Sequence, residues 1–435
     1  MVFLKALRVV FLGLAGMTVI VAFVILQHNV WAFSLGTGAQ ISVFVSPSPS
    51  PTAIPWTIKD KIAQAKVLLS GVTLKVGTTD ITYTEDRISP TSVSSKTLKE
   101  PEKEIALAAL NTTTGDISII KITKHGEDLI LPDPSTSLGV NWQISIIPRL
   151  NGIRWNSWNT AYHVDSPEGY AIIANLYPNE TNKIVAAKVK SKKVYTVQQT
   201  INYVFYAPYS PDLHTAELIN EGQKYVNDTV AKALAELQAS GTGSVAMPSS
   251  SVYDVWKDKG EFFTRIPMLE QSDLTEFMLD PAGTTERIYA IIGANGDQAF
   301  ANTCNSSSAC GWVQFTPGTY NQVVRSYPSA HLIKDFVTGA ADHINSIKAA
   351  ILLYDSNLKG LIKSNGQKVL QDSRLEEYLA ASYNGSPNRA TRSLTASILS
   401  SVVDWIDALT SKKGGLASET RGYLVKLRYL QEHSS

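Results

Sequence analysis

The stretch Gly311-Trp-Val-Gln-Phe-Thr-Pro-Gly-Thr-Tyr320 carries the clearest structural signature in this chain of 435 residues. Gly311 is a glycine that can begin a helix or a strand, and an amide side chain follows at Gln314. Thr316 before Pro317 is typical of a helix start, because Thr caps free amide groups and Pro tolerates the first helical position. The stretch is therefore a compact structural signature, and it predicts a new helix that begins after Thr316.

Helical patterns surround this stretch from about residue 252 onward. An apolar face recurs at helical spacing up to Asn295, where the following Gly can end the helix in a left-handed conformation. Tyr383 and Asn384 stand at another helix end, just before a glycine turn, and a last amphipathic helix begins near Ser418. These patterns predict an all-helical C-terminal domain over residues 252–435.

The middle of the chain has a different pattern. Residues 56–69 favour a short amphipathic helix, and short β-branched runs separated by turn residues then predict an antiparallel sheet, giving a β-rich domain over residues 56–207. Residues 208–251 are predicted to hold a helix from about 213 to 237 and then a Gly/Ser-rich flexible linker. The fold class predicted for the whole chain is α+β.

The N-terminus predicts export. Two basic residues precede the uncharged apolar run 9–26, which is close to the length that spans a bilayer. Residues 1–33 are therefore interpreted as a transmembrane anchor, and residues 34–55, with their Ser-Pro alternation, as a linker. The protein would be single-pass in the cell membrane with its body extracytoplasmic. Secretion after signal cleavage is the alternative, since Val30-Trp-Ala32 looks like a cleavage site.

The net charge and the cysteine content limit the kinds of partner and site that we expect. Lys and Arg number 39 against 38 Asp and Glu, so the net charge of +1 argues against nucleic acid as a partner. The chain has 2 Cys, Cys304 and Cys310, six positions apart across a Ser-rich loop. In an oxidising compartment we expect them to form a disulfide. No metal site is expected, because no His stands close enough in sequence to complete one.

Four blocks, in sequence order, resemble the soluble lytic transglycosylase family. Residues 311–319 are similar to its Gly-Leu-Met-Gln-x-x-Pro-x-Thr block, and residues 344–354 to its Asn-Ile-x-x-Gly-x-x-Tyr-Leu helix. Residues 380–387 are similar to its Ala-x-Ala-Tyr-Asn-Ala-Gly-Pro block, and residues 416–423 to its closing Pro-x-Glu-Thr-Arg-x-Tyr-Val. The resemblance covers about residues 280–430 and leaves the β-rich domain without an interpretation.

The resemblance implies a lysozyme-like fold and a function. Members of this family cleave the bond between N-acetylmuramic acid (MurNAc) and N-acetylglucosamine (GlcNAc) in peptidoglycan glycan strands. One carboxylic acid protonates the bridging oxygen and then acts as a base toward the muramoyl 6-hydroxyl, which gives a 1,6-anhydro product without a cofactor. By motif position, Gln314, Tyr383 and Asn384 are the expected substrate-binding residues.

The family's acid is a Glu at the end of a helix, about fifteen residues before the Gly of the first block. That position is Gly296, between Asn295 and Asp297. Asp297 is therefore the candidate general acid and base, and a solvated loop carboxylate is its alternative interpretation. Two other functions stay open: an inactive peptidoglycan-binding or scaffold protein that lacks the usual Glu, and a surface protein whose β-rich domain carries the function.

Overall fold

A computed structural model describes residues 56–86, 93–125, 128–130, 141–147, 158–189, 192–400 and 404–433. The chain from Pro55 onward forms one compact unit. The predicted anchor (1–33) and the Ser/Pro linker (34–55) lie outside the described residues. Within the described part, no helix is long and apolar enough to cross a membrane.

The β-rich region begins with helix α1 and continues with antiparallel strands. Five strands follow one another across the main sheet in the order β4-β3-β2-β7-β8, with β1 paired to the first part of β2, while β5 and β6 form a small second sheet. The predictions of an α+β fold and of antiparallel strands in this region are confirmed. The bounds are α1 Ile58–Ser70, β1 Val76–Asp86, β2 Val93–Asn111, β3 Ile117–His125, β4 Asp128–Ile130, β5 Gln143–Ile146, β6 Tyr162–Ser166, β7 Tyr170–Val189 and β8 Lys192–Tyr206.

Strand β2 shows why these elements form layers. Its side chains alternate between two faces, as the period of a strand requires. Ala106, Ala108 and Leu110 pack in one hydrophobic cluster with α1, and Ile105, Leu107 and Ala109 pack in another with β5 and β6. The main sheet is therefore covered by α1 on one face and by the small sheet on the other.

The described residues after Tyr206 form helices joined by short turns, with isolated β-bridges in place of strands. Most of their apolar side chains share one hydrophobic core. The predicted helix at 213–237 corresponds to α2. The α-helical bounds are α2 Ala216–Ala239, α3 Val252–Trp256, α4 Gly260–Glu270, α5 Leu274–Leu279, α6 Pro281–Asn295, α7 Pro317–Ser326, α8 Phe336–Ala341, α9 His343–Asn365, α10 Leu375–Asn384, α11 Pro387–Ser400 and α12 Ser418–His433.

Helices α2 and α6 cross at close range because glycine stands at both contact points. A Cβ atom on Gly222 would lie 2.0 Å from the carbonyl oxygen of Tyr289, and one on Gly293 would lie 2.0 Å from that of Leu218. Leu218 also packs in the cluster that contains α1 and the main sheet. The helical and β-rich regions therefore share a hydrophobic core.

The segment predicted as a flexible linker, 240–251, is packed and fixed. Thr242 and Ser244 are buried, and Ser244 donates a hydrogen bond of 2.6 Å to the Asp355 carboxylate, which is fully buried in α9. The backbone N–H of Val245 donates to the same carboxylate at 2.8 Å. The Gly/Ser composition predicted flexibility, but a partner more than a hundred residues away holds this segment against the core.

Candidate functional site

A cavity of about 410 Å³ lies where the helical region meets the β-rich region. The end of α4 and the turn after it form one wall, and α6, α12 and the loop before α7 form others. The lining is a mixture of apolar, aromatic, amide and charged side chains, as in a binding pocket for a polar organic ligand. The lining residues used below are Asn159, Tyr206, Glu270, Gln271, Phe300, Thr303, Gln314, Asn384, Glu419, Tyr423 and Lys426.

Glu270 is the last residue of α4 and lies in this cavity. The hydroxyl of Tyr423 donates a hydrogen bond of 2.8 Å to its Oε1. Burial raises the pKa of Glu270 to about 7, while the Tyr423 hydrogen bond and the positive charge of Lys426 act in the opposite direction. A carboxyl group with this pKa can both give and take a proton near neutral pH.

The position of Glu270 is fixed by the residues on either side of it. The side-chain amide of Gln271 donates to the carbonyl oxygens of Gly311 (3.2 Å) and Trp312 (2.9 Å), which ties the end of α4 to the 311–319 block. The ammonium group of buried Lys426 donates to the carbonyl of Leu269 at 2.5 Å and to that of Ser272 at 2.9 Å. Lys426 thus satisfies the Leu269 carbonyl, which the C-terminus of α4 leaves free, and links it to the turn that follows the helix.

Gln314 and Asn384, which were predicted to bind substrate, both line the cavity. Gln314 has a left-handed backbone conformation with φ of 52°, and its side-chain amide donates to the carbonyl of Gly311 at 2.7 Å. The Oδ1 atom of Asn384 is buried and accepts no hydrogen bond from the described part of the chain. It is therefore an unsatisfied polar atom of a residue that lines the cavity.

Tyr383, the third predicted substrate-binding residue, is not among the residues that line the cavity. Its hydroxyl donates a hydrogen bond of 2.6 Å to the carbonyl of Val313, and its ring packs against Phe315 and Tyr354. Burial raises its pKa well above the ordinary value for tyrosine. Tyr383 therefore packs against the 311–319 block and lies outside the lining of the cavity.

Asp297, the candidate acid from the sequence, lies elsewhere. It is exposed, in a single 3-10 turn at Gly296–Gln298, and is absent from the cavity lining. The residue before this turn, Asn295, forms hydrogen bonds of 2.8 and 2.9 Å with the backbone of Ala207, so α6 ends at the junction with the β-rich region. Glu286, farther back on α6, contacts His214 at 3.0 Å. The structure therefore places Glu270, not Asp297, beside Gln314 and Asn384.

The motif spacing does not lead to Glu270, because Glu270 is far from Gly311 along the chain although the two are close in space. It stands 311 − 270 = 41 positions before Gly311, with α5 and α6 between them. One feature of the sequence pointed to it: Glu270 ends the apolar stretch of α4, although Gln271 separates it from Ser272, whereas the family's Glu is usually followed directly by Ser. The hydrogen bonds of Gln271 to the 311–319 block show that the two are neighbours in space.

The loop before the 311–319 block is closed by a disulfide. Cys304 and Cys310 are bonded, with their Cα atoms 4.1 Å apart, so the predicted pairing is confirmed. Cys310 also pairs through its backbone with Phe315, directly after Gln314. The disulfide therefore fixes the loop that forms the Gln314 side of the cavity. In the described ranges, no group of three or more His, Cys, Asp or Glu side chains could hold a metal ion.

The raised pKa of Glu270 predicts a change in stability in the Glu270→Gln variant. An ordinary Glu titrates near 4.5, so the folded state loses stability relative to the unfolded chain as the pH rises from about 4.5 to about 7. Gln carries no charge and can still accept from Tyr423. We expect the variant to exceed the wild type by about 3 kcal/mol in unfolding free energy at pH 8, and to match it at pH 4.

Urea unfolding at the two pH values measures this difference. Glu432→Gln, at an exposed position on α12, serves as the control and should show no such dependence. A difference of the same size at pH 4 and pH 8 would contradict a buried, ionising carboxyl group at position 270.

Comparisons of the chain with protein-family models, with curated proteins and with solved structures find no match. Any functional conclusion therefore rests on the cavity itself and on the four sequence blocks.

Proposed function

We propose that the chain is a peptidoglycan lytic transglycosylase that cleaves the MurNAc-GlcNAc bond to a 1,6-anhydro product, with Glu270 as its general acid and base. One observation carries this proposal. Glu270, with its raised pKa, shares one cavity with Gln314, Asn384 and Tyr423, and these come from three of the four blocks that resemble the family. Residues far apart in the sequence thus meet around one carboxyl group.

The reaction needs a single carboxyl group that acts twice. The protonated acid of Glu270 donates its proton to the glycosidic oxygen as the bond from that oxygen to the muramoyl C1 breaks. The resulting carboxylate takes the proton from the muramoyl 6-hydroxyl, and O6 forms a bond to C1. One bond is exchanged for another, the acid regains its proton, and no water is consumed. Tyr423 holds the carboxyl group in place through both steps.

The local environment favours the protonated starting state. Burial disfavours the charged carboxylate, and the carbonyl groups at the C-terminus of α4 present the negative end of the helix dipole to it. Lys426 limits this effect because its ammonium group binds one of those carbonyl oxygens, that of Leu269, and brings a positive charge near the carboxyl group. The balance leaves a pKa of about 7, which suits a group that must first donate and then accept a proton.

Purified protein incubated with peptidoglycan tests the proposal directly. Release of anhydro-muropeptides, identified by mass spectrometry, supports a transglycosylase. Hydrolysed products that retain a reducing end would indicate a hydrolase that uses the same acid. Saturable binding without any soluble product would favour the alternative, a catalytically inactive peptidoglycan-binding or scaffold protein.

The pH profile provides a quantitative prediction. Because Glu270 must begin the reaction protonated, kcat/KM should be constant below about pH 7 and fall by about tenfold per pH unit above it. Initial rates of anhydro product formation between pH 5 and pH 9 measure this. A profile that breaks near pH 4 would exclude Glu270 in its buried state as the acid.

We further infer that the protein is held in the cell membrane by residues 1–33, with its body outside the cytoplasm. Peptidoglycan is an extracytoplasmic substrate, and the disulfide between Cys304 and Cys310 is typical of an oxidising compartment. Membrane fractionation, with protease added to intact spheroplasts, tests this. Degradation of a membrane-bound protein supports the anchor, and full recovery in the culture medium supports signal cleavage.

A further inference from the structure

Strand β8 lies at the edge of the main sheet, where one side of its backbone has no partner. It pairs with β7 from Lys192, opposite Val189, to Tyr206, opposite Asn175. In the described part of the chain, no strand pairs with its other side. An edge of this kind presents a row of N–H and C=O groups to which a further strand can add.

Two other edges of the sheet carry residues that oppose such pairing, and β8 does not. Strand β1 pairs with β2 alone, and the pairing of β7 with β2 ends at Leu176, so each leaves an unpaired side among the described strands. Charged residues and proline on an edge discourage the addition of a strand. Those present are Asp80, Glu85 and Asp86 on β1, and Pro178, Glu180, Lys183 and Lys188 on β7. By contrast, β8 has no charged residue and no proline from Val194 onward.

The uncharged part of β8 reads nearly the same in both directions. This symmetric stretch is Val194-Tyr-Thr-Val-Gln-Gln-Thr-Ile-Asn-Tyr-Val204, and Gln199 stands at its centre. When two copies of the stretch run antiparallel about Gln199, each residue lies opposite the one that is equally far on the other side of Gln199. Matching residue types then meet. The opposite pairs are Val194 with Val204, Tyr195 with Tyr203, Thr196 with Asn202, Val197 with Ile201 and Gln198 with Thr200.

Ile201 and Tyr203 are exposed apolar residues of the symmetric stretch. Their exposed fractions are 42% and 49%, and they share one face of the sheet because alternate residues of a strand point the same way. In the antiparallel arrangement the second copy brings its Val197 opposite Ile201 and its Tyr195 opposite Tyr203. Cross-strand pairs of aromatic or β-branched residues stabilise a sheet. A second copy therefore supplies a matching partner for both exposed residues.

Charge and backbone hydrogen bonding also favour the antiparallel arrangement. Lys192 and Lys193, the only charged residues of β8, would lie opposite Tyr206 and Phe205, whereas a parallel arrangement in register would bring like charges together. A ladder over the symmetric stretch supplies about ten hydrogen bonds, which is as many as a typical protein–protein interface has. A two-fold axis through Gln199 uses the same surface on both copies, as a closed dimer requires.

We propose that the protein forms a homodimer in which the β8 strands of two copies pair antiparallel about Gln199. The two main sheets then become one continuous sheet, and the unpaired edge of β8 is covered. The dimer does not depend on the proposed function, because no residue of the symmetric stretch lines the cavity that holds Glu270. It gives the β-rich region a role of its own, which is to join two helical regions in one particle.

Cysteine cross-linking in the full chain tests the pairing and its register. In Gln199→Cys, the two new cysteines of a dimer lie directly opposite each other, with Cα atoms about 4.5–5.5 Å apart, a distance that a disulfide spans. Mild oxidation should convert most of this variant into a cross-linked dimer on a non-reducing gel. Asn202→Cys is the matched control, because its two cysteines would be about 20 Å apart along the paired strands. A mixture of Asn202→Cys and Thr196→Cys chains should cross-link again. No cross-link in Gln199→Cys, or equal cross-linking in Asn202→Cys alone, overturns the proposal.

Sedimentation equilibrium of the full chain in detergent measures the dimer directly. Ile201→Lys should raise the Kd for dimerisation by about tenfold, because the dimer loses two copies of an apolar cross-strand pair and gains two charges at its interface. Val67→Lys is the matched control: it makes the same kind of change at an exposed residue of α1 and should leave the Kd unchanged. Association through residues 1–33 would give equal Kd values in the two variants and overturn the proposal, as would a wild type that is monomeric throughout.

Discussion

Glu270→Gln should reduce the release of anhydro products by about 10³-fold, because the amide cannot donate a proton to the glycosidic oxygen. The substitution preserves the size of the side chain and the acceptor for Tyr423, so the cavity keeps its shape. Binding of glycan strands should therefore stay within a few fold of the wild type. Rates of product formation and the Kd for strands, measured on the same preparation, separate the two effects.

Asp297→Asn is the matched control for this experiment. It makes the same chemical change, carboxylate to amide, at the exposed turn that follows α6. We expect nearly wild-type rates, because Asp297 lies outside the lining of the cavity. Loss of activity in Asp297→Asn with retention in Glu270→Gln would reverse the assignment of the acid.

Asp355→Ala should lower the unfolding free energy by about 3–5 kcal/mol. The Asp355 carboxylate is fully buried and accepts hydrogen bonds from five donors on three segments. Removing it leaves these buried donors without a partner, and it also releases the 240–251 segment from α9. The donors are the Ser244 hydroxyl at 2.6 Å, the N–H groups of Val245 at 2.8 Å and Ala246 at 3.4 Å, the Trp256 indole at 3.3 Å and the Tyr327 hydroxyl at 2.8 Å.

Urea denaturation followed by tryptophan fluorescence measures this loss, since Trp256 is buried beside the carboxylate. Asp228→Ala is the control, because Asp228 pairs with Lys224 on the exposed face of α2. Exposed pairs of this kind contribute at most about 1 kcal/mol. A loss below about 1 kcal/mol for Asp355→Ala would mean that the five hydrogen bonds are replaced by water at little cost.

The sequence was informative where local rules decide the structure. The strands, α2 and the helix start at Thr316 follow from side-chain periodicity and capping, and Thr316 does accept from the N–H of Thr319. Gln314 and Asn384 belong to blocks whose internal spacing is preserved, and both line the cavity. In these cases the relevant contacts lie within one element or one turn.

Glu270, the proposed acid, does not follow from the sequence blocks, because its place in the cavity depends on contacts between distant parts of the chain. A fixed count back from Gly311 assumes a short connection, whereas α5 and α6 lengthen it without moving Glu270 away in space. Contacts between distant residues also explain the 240–251 segment. Its Gly/Ser composition indicates flexibility, but its hydrogen bonds to Asp355 fix it, and these bonds cannot be inferred from the composition. Tyr383 is the opposite case: it stands at the expected position in its motif, but its hydroxyl donates a hydrogen bond to the carbonyl of Val313 and does not line the cavity. Sequence spacing does not measure which side chains a fold brings together.

The glycine crossing of α2 and α6 also determines how the molecule can be divided. A chain cut between α2 and α3 would lose the surface that Gly293 packs against, the Asn295 bonds to Ala207 and the strand-side wall of the cavity. A fragment that retains the whole lining of the cavity must therefore include the β-rich region from at least Ile147 onward. An exchange of the helical region alone would remove the β-rich side of the cavity lining. We therefore expect the helical and β-rich regions to be inherited together.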